Sequence, residues 1–358
     1  MINVTKPYLP SLQEYFSQLS GVWNSGQLTN HGKLVKELER KLKEYLQVKH
    51  VCYVSSGTMA LQIALKALEL EGEVIVTPFS HVSTLNSLLW QNCKPIYCDI
   101  QGQNFCINPS LIEQAITTKT SAILATHIYG YPCNVLLIEE IAKKHQLKVV
   151  YDGAQAFGVK IFNQSIFNYG DISAASFHAT KVFHTVEGGA IFTNDDNLIK
   201  KCISFRDFGL VDGEPSYAGI NGKNSEFHAA MGLCNLPKMT DFIDRRREIS
   251  LFYHHELQNL PLQFPIYSKE VLYNYAYFPI IFLSEEKMQR VKDALYANEI
   301  NAKRYFYPSL NTLPYSNGGY CPISEYVSKR VLCLPLYYDL QMDDAKRVVR
   351  IIVDECSE

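Results

Sequence analysis

The sequence predicts an α/β fold: a large domain built on a central, mostly parallel sheet flanked by helices, followed by a smaller α+β domain. Three observations carry this prediction. From Val51 onward, short β-rich runs alternate with helical segments, the signature of parallel strands joined by helical crossovers. The loops after those runs carry Gly, Ser, Asp and Lys, and ligands of such sheets sit at the carboxyl ends of the strands. After Leu236 the alternation gives way to longer helices with single strands between them.

Taken in order, residues 33–46 (KLVKELERKLKEYL) place Leu34, Leu38, Leu42 and Tyr45 at spacings of three and four, with charges opposite, which predicts an amphipathic helix. The alternating region then reads VCYV and TMALQIALKAL, EVIVT and VSTLNSLLW, KPIYCD and PSLIEQAI, SAILATH and VLLIEEIAKKH, then LKVVYD. Two further apolar runs, ISAASF and GGAIFT, flank HATKVFHTVE, and a helix is expected from about Asp195 to Phe205. Beyond this, DFIDRRREISLFYHHEL reads as a long connecting helix, YAYFPIIFL as a strand, and SEEKMQRVKDALYANE and MDDAKRVVRIIVDE as helices. The expected division is a large domain over 1–238 and a small one over 239–358, packed as one body because no low-complexity linker separates them.

Composition narrows the function. At 358 residues the chain is long enough for about two domains at ~100–200 residues each. Thirty-four Lys+Arg against 36 Asp+Glu, with no basic block, leave no electrostatic footprint for nucleic acid. No stretch reaches the ~18 apolar residues a spanning helix needs, so no membrane partner is expected. The ten cysteines are scattered, and the start lacks a signal-peptide core, so free thiols and a cytoplasmic location are expected. Neither Cys-x-x-Cys nor His-x-x-x-His occurs, which argues against a metal site.

Four loop constellations carry chemistry. Ser55-Ser56-Gly57-Thr58 precedes a helix, where glycine admits close backbone approach and the helix start offers free N–H groups to a phosphate; an ordinary N-cap reads the same way. Asp152, ending an apolar strand in Tyr151-Asp152-Gly153-Ala154-Gln155, suits a protonated heteroaromatic nitrogen, or equally a cap on the next turn. Lys181, in Ser176-Phe177-His178-Ala179-Thr180-Lys181, lies between two apolar strands, where lysines lower their pKa and form Schiff bases, although a snorkelling side chain also fits. The loop Gly219 to Glu226 offers another anion contact or a capped helix start. Together, sites for a phosphate (Gly57, Thr58, Ser176), a pyridinium nitrogen (Asp152) and an aldehyde (Lys181) match the requirements of pyridoxal 5′-phosphate.

With these residues the sequence resembles the sugar-nucleotide aminotransferases of the DegT/StrS type, within fold type I of the pyridoxal phosphate enzymes, from the Ser25 to Asn30 stretch to Leu334-Pro335-Leu336. The resemblance implies that Lys181 is the Schiff-base lysine and general acid–base, Asp152 the partner of the ring nitrogen, and Gln155 a neighbour of the ring hydroxyl. It implies that Gly57, Thr58 and Ser176 hold the phosphate, that His81 in Thr77-Pro78-Phe79-Ser80-His81 stacks on the ring, and that Asn221 reaches the phosphate of a neighbouring subunit in a homodimer with shared sites. The implied reaction takes an amino group from L-glutamate, through pyridoxamine phosphate, to a nucleotide-linked keto sugar. SFHATKVFHTVEGG, SGQLTNHG and HIYGYPC look closest to members that aminate dTDP-4-keto-6-deoxyglucose at C4 for O-antigen biosynthesis; 3-keto or UDP-linked sugars are the alternatives. A sugar dehydratase on this fold replaces the lysine, typically by His, so Lys181 argues against it. Arg304, Tyr305, Tyr307 and Tyr315 are candidate nucleotide and hexose contacts, by ion pairing and stacking, and core or surface packing is the other reading of each. Gly153, where Ala or Cys is frequent, and His184, where Asn or Gly is more usual, depart from the family pattern.

Overall fold

The computed structural model describes residues 1–266 and 268–357. Its centre is a seven-stranded sheet of β1 (His50–Val54), β2 (Glu73–Val76), β3 (Lys94–Tyr97), β4 (Thr120–Thr126), β5 (Lys148–Asp152), β6 (Ile172–Ser176) and β7 (Gly189–Thr193), in the spatial order β1-β7-β6-β5-β4-β2-β3. β7 runs antiparallel to both neighbours and all other pairings are parallel. The loops leaving β1, β2, β5 and β6 therefore open on one edge of the sheet, where Gly189 begins β7 opposite Val54 and Ser176.

Alternation along each strand explains why the runs are apolar throughout. Tyr53, Ile75, Ile123, Val149 and Tyr151 point into one core, while Cys52, Val54, Val74, Leu124 and Val150 point into another on the opposite face. Helix Gly57–Ala67 covers that second face with Leu61, Ala64 and Leu65, leaving neither side of the sheet wet.

Helix Lys33–Leu46 forms as expected, with its buried stripe rotated to Val35, Leu38, Leu42 and Leu46, so Leu34 and Tyr45 lie at the edge of the stripe. Its N-cap, Gly32, has no side chain to offer. Buried Glu226 caps the helix instead, accepting from the amides of Leu34 (2.7 Å) and Val35 (3.0 Å), and a Cβ on residue 32 would meet this carboxyl at 2.6 Å.

The C-terminal part is built on a small antiparallel sheet of Leu262–Gln263, Phe278–Phe282 and Val331–Leu334. Phe278, Ile280, Phe282, Leu332 and Leu334 pack against helices Met239–Leu257, Glu285–Ala297 and Met342–Ser357, while Ile281, Val331 and Cys333 join the core of the large sheet. A continuous core thus ties both parts together. The first residues belong with the C-terminal part: Ile2–Asn3 pair in parallel with Ile300–Asn301, and Leu336 N–H donates to the Val4 carbonyl at 3.0 Å. The cysteines are free thiols, all buried except the partly exposed Cys356. Among the described residues, no helix is long and apolar enough to cross a membrane.

Candidate active site

A cavity of about 370 Å³ lies at the edge where the strands of the large sheet end. Gly57, Thr58, His81, Asp152, Gln155, Ser176, Lys181 and Tyr305, drawn from five separate segments of sequence, all line it. Each arrives for a local reason.

At the first segment, Ser56 is the helix cap: its Oγ accepts from Met59 N–H at 3.1 Å, so the N-cap reading of this loop is realised one residue before the candidate phosphate contacts. The amides of Gly57 and Thr58 come too early in the helix to find intrahelical acceptors and remain available to an anion. Glycine is demanded at position 57 by contact, because a Cβ there would stand 2.6 Å from Ser176 Cβ. Thr58 Oγ1 donates to Ser83 Oγ at 3.1 Å, joining this loop to the segment that carries His81.

Asp152 is buried at the end of β5. Thr84 Oγ1 donates to its Oδ2 at 2.6 Å and the Ala154 amide to its Oδ1 at 3.0 Å, so it caps the following turn and also faces the cavity. No lysine or arginine pairs with it among the described residues, and a buried carboxylate in that position calls for a cationic partner from outside the chain. Gln155 accepts the Tyr129 amide on its Oε1, which leaves its NH2 for the cavity.

Lys181 closes a tight turn in which its N–H donates to the His178 carbonyl at 2.9 Å. Its amine has neither a hydrogen bond nor an ion pair among the described residues. Although some side-chain surface stays open to the cavity, the atoms packed around the amine desolvate it and bring its pKa down to about 8, against a smaller opposing pull from Asp152. A snorkelling lysine would keep its amine in solvent, whereas this one is desolvated beside the cavity.

The remaining candidates sit elsewhere. Asn221 is exposed and bridges to Asp207, while its neighbour Gly222 accepts from the Ser55 amide at 2.9 Å; it does not line its own chain's cavity. Arg304 pairs with Glu285 at 2.9 Å and lies over the Tyr307 ring at 3.5 Å, and neither it, Tyr307 nor Tyr315 reaches the cavity. Sequence reasoning missed Thr84 and Tyr277, whose ring lines the cavity beside Tyr305 and Phe306. A signal for Thr84 exists: it stands three residues after His81, one helical turn into the next helix.

The family model of the DegT/DnrJ/EryC1/StrS aminotransferases matches residues 12–353. The chain belongs to this family. Relatives of this aminotransferase include a dTDP-4-amino-4,6-dideoxy-D-glucose transaminase of Shigella dysenteriae, 40% identical over 98% of each chain, and one of Escherichia coli, 37% identical over 98% of each. Among solved structures, DesI in the presence of its TDP-sugar product superposes with a TM-score of 0.94 at 29% identity, covering 99% of this chain and 93% of that one. Helicobacter pylori PseC, an aminotransferase involved in pseudoaminic acid biosynthesis, gives 0.92 at 26% identity over 99% of both chains.

As a family member the protein is a pyridoxal phosphate-dependent transaminase. The cavity fits that cofactor on its own evidence. It offers an unpartnered primary amine, a buried carboxylate lacking a cation, and helix-start amides beside the closely packed Gly57 and Ser176.

Proposed function

We propose that the protein transfers the amino group of L-glutamate to a nucleotide-linked keto-deoxysugar, dTDP-4-keto-6-deoxy-D-glucose, giving dTDP-4-amino-4,6-dideoxy-D-glucose and 2-oxoglutarate. The observation that carries the reading is the Lys181 amine, desolvated and unpartnered, in one cavity with the buried Asp152 carboxylate. The two relatives named for the transaminase of that sugar, matched end to end, support the choice of acceptor.

In this reading the Gly57 and Thr58 amides and the Ser176 hydroxyl hold the phosphate, His81 covers the ring face, and Asp152 keeps the ring nitrogen protonated. The bound cofactor supplies an aldehyde for amines and an electron-withdrawing ring. Lys181 Nζ takes the proton from glutamate Cα and later delivers a proton to C4 of the sugar. A pKa of about 8 suits both duties, because the amine is partly neutral and partly protonated near physiological pH. Asp152 holds its charge fixed through Thr84 Oγ1 and the Ala154 amide, which orient both carboxylate oxygens.

The working enzyme in this proposal is a homodimer with the domain division 1–238 and 239–358, except that the first residues pair with the small domain, and Asn221 of one subunit serves the other's phosphate. Its exposure outside its own cavity supports that placement. The reading also puts the enzyme in the cytoplasm, in synthesis of a surface polysaccharide of O-antigen type. Incubation with glutamate, pyridoxal phosphate and a panel of 3-keto and 4-keto dTDP- and UDP-sugars, with NMR of the products, tests the acceptor. The expected product is the 4-amino dTDP sugar, and preferential amination of a 3-keto or UDP-linked sugar would overturn that choice.

A further inference from the structure

Between Lys181 and β7 the chain passes through His184, Thr185, Val186 and Glu187, a stretch to which the mechanism above gives no role. Glu187 lines the active-site cavity. Its main chain is pinned: the carbonyl accepts from Thr185 Oγ1 at 2.8 Å and from Asn224 Nδ2 at 2.9 Å. Its carboxylate makes no hydrogen bond among the described residues. His178 Nε2 lies 3.7 Å from Oε1, beyond hydrogen-bond reach.

The approach to Glu187 is strained. Val186 has φ of +69°, a left-handed conformation that a β-branched residue avoids, and such strain persists only where the surroundings impose it. His184 is hydrogen-bonded to this residue. Buried at 2% exposure, its Nε2 lies 2.8 Å from the Tyr8 carbonyl, an acceptor, so the proton sits on Nε2. Nδ1 is then free to accept the Val186 amide at 3.2 Å. A neutral imidazole therefore satisfies both partners and ties the catalytic loop to the N-terminal segment. Asn235 Nδ2 donates to the His184 carbonyl at 3.1 Å and lies 3.3 Å from Nε2, where the shorter contact to the Tyr8 carbonyl takes the ring proton.

We propose that Glu187 is a specificity-determining contact for the acceptor sugar, its carboxylate taking hydrogen bonds from sugar hydroxyls, and that His184 is the positioning residue that keeps it aimed at the cavity. Carboxylate oxygens accept hydrogen bonds, so they suit the hydroxyl groups of a sugar. His178 complements it. Its Nδ1 accepts the Thr180 amide at 3.3 Å, which leaves Nε2–H as a donor beside Glu187 Oε1. A donor next to an acceptor matches a hydroxyl, which needs both.

The assignment rests on the transaminase reading, and the test separates the two. The holoenzyme is mixed with glutamate alone, and the loss of cofactor absorbance gives the first half-reaction. Steady-state rates with dTDP-4-keto-6-deoxy-D-glucose then give the sugar KM, and calorimetry with dTDP-4-amino-4,6-dideoxy-D-glucose gives product affinity. Glu187→Ala is expected to raise the sugar KM and weaken product binding roughly tenfold or more, with Glu187→Gln affected less and the glutamate half-reaction unchanged in both. His184→Ala is expected to reproduce the sugar defect and to speed amide exchange at Val186. Combined with Glu187→Ala, it should add little to the sugar KM, because a positioning residue has no effect once its target is gone. A glutamate half-reaction slowed as much as the sugar step, an unchanged sugar KM, or fully additive effects in the double variant would overturn the assignment. Absence of a glutamate half-reaction in the unsubstituted protein would overturn the transaminase reading beneath it.

Discussion

In the proposed mechanism Lys181 holds both the covalent chemistry and the proton traffic, so its replacement gives the sharpest single-residue outcome. Lys181→Ala should fold, purify without the visible absorbance of lysine-bound pyridoxal phosphate, and show no turnover; retained steady-state transamination would contradict the role. The same amine predicts a pH effect on the cofactor-free protein. Its folded pKa is about 8 against an ordinary 10.5. Between those values the unfolded chain binds the proton and the folded chain releases it, so stability rises with pH across the window, and below it the desolvated charge opposes folding. Melting temperatures of cofactor-free wild type and Lys181→Met, compared from pH 7.5 to 10, should therefore converge as wild type gains on the variant. A constant gap would show that Lys181 does not titrate in that range. Lys181 and Asp152 were legible as residues because a lysine or a carboxylate placed among apolar strands is expensive without a purpose. Gly153 was legible only as a departure from the family, and its reason is spatial: a Cβ there would stand 2.5 Å from Phe167 Cε1, whose ring stacks on Phe192 at 4.3 Å.

In the proposed reading the helix Gly57–Ala67 is the element that turns sheet topology into an anion site, its first turn abutting the end of β6 at Ser176. Gly57→Ala drives a methyl group into Ser176 Cβ, and overpacking of this kind typically costs about 1–3 kcal/mol. The variant should remain folded, with weaker cofactor affinity that fluorescence titration of the cofactor-free protein measures; unchanged affinity would place the phosphate elsewhere. The strand and helix alternation of this region was readable because parallel strands covered on both faces are apolar throughout, bounded by turn residues. Helix Leu12–Ser25 was not readable: it buries only Leu19 and Val22 and shows no wide apolar stripe. Strand Val331–Leu334 and helix Pro322–Arg330 also escape notice, since four apolar residues after a short polar helix carry no period that separates strand from loop. The role proposed for the 184–187 turn involves a backbone conformation at Val186, which no residue pattern announces.

At the scale of the whole molecule, the parts meet in one core and the cavity draws its far wall, Tyr277, Tyr305 and Phe306, from the C-terminal part. The dimer proposal predicts complementation. Lys181→Ala and Asn221→Asp are each expected to be inactive, the second because a carboxylate would face the cofactor phosphate. If sites are shared, a mixed dimer holds one doubly defective site and one intact site, so random exchange of equal amounts should recover about one quarter of wild-type activity for a two-fold dimer. No recovery, with exchange confirmed by mass spectrometry, would confine Asn221 to its own subunit or exclude it from any site. Transfer of the amino group is the central claim, and isotope transfer tests it most directly. The enzyme is incubated with pyridoxal phosphate, ¹⁵N-labelled L-glutamate and dTDP-4-keto-6-deoxy-D-glucose, and the sugar is analysed by ¹⁵N and ¹³C NMR. The account predicts ¹⁵N bonded to C4 of the sugar with an equal amount of 2-oxoglutarate formed; a sugar that carries no label, or that loses a hydroxyl group without gaining nitrogen, would contradict it.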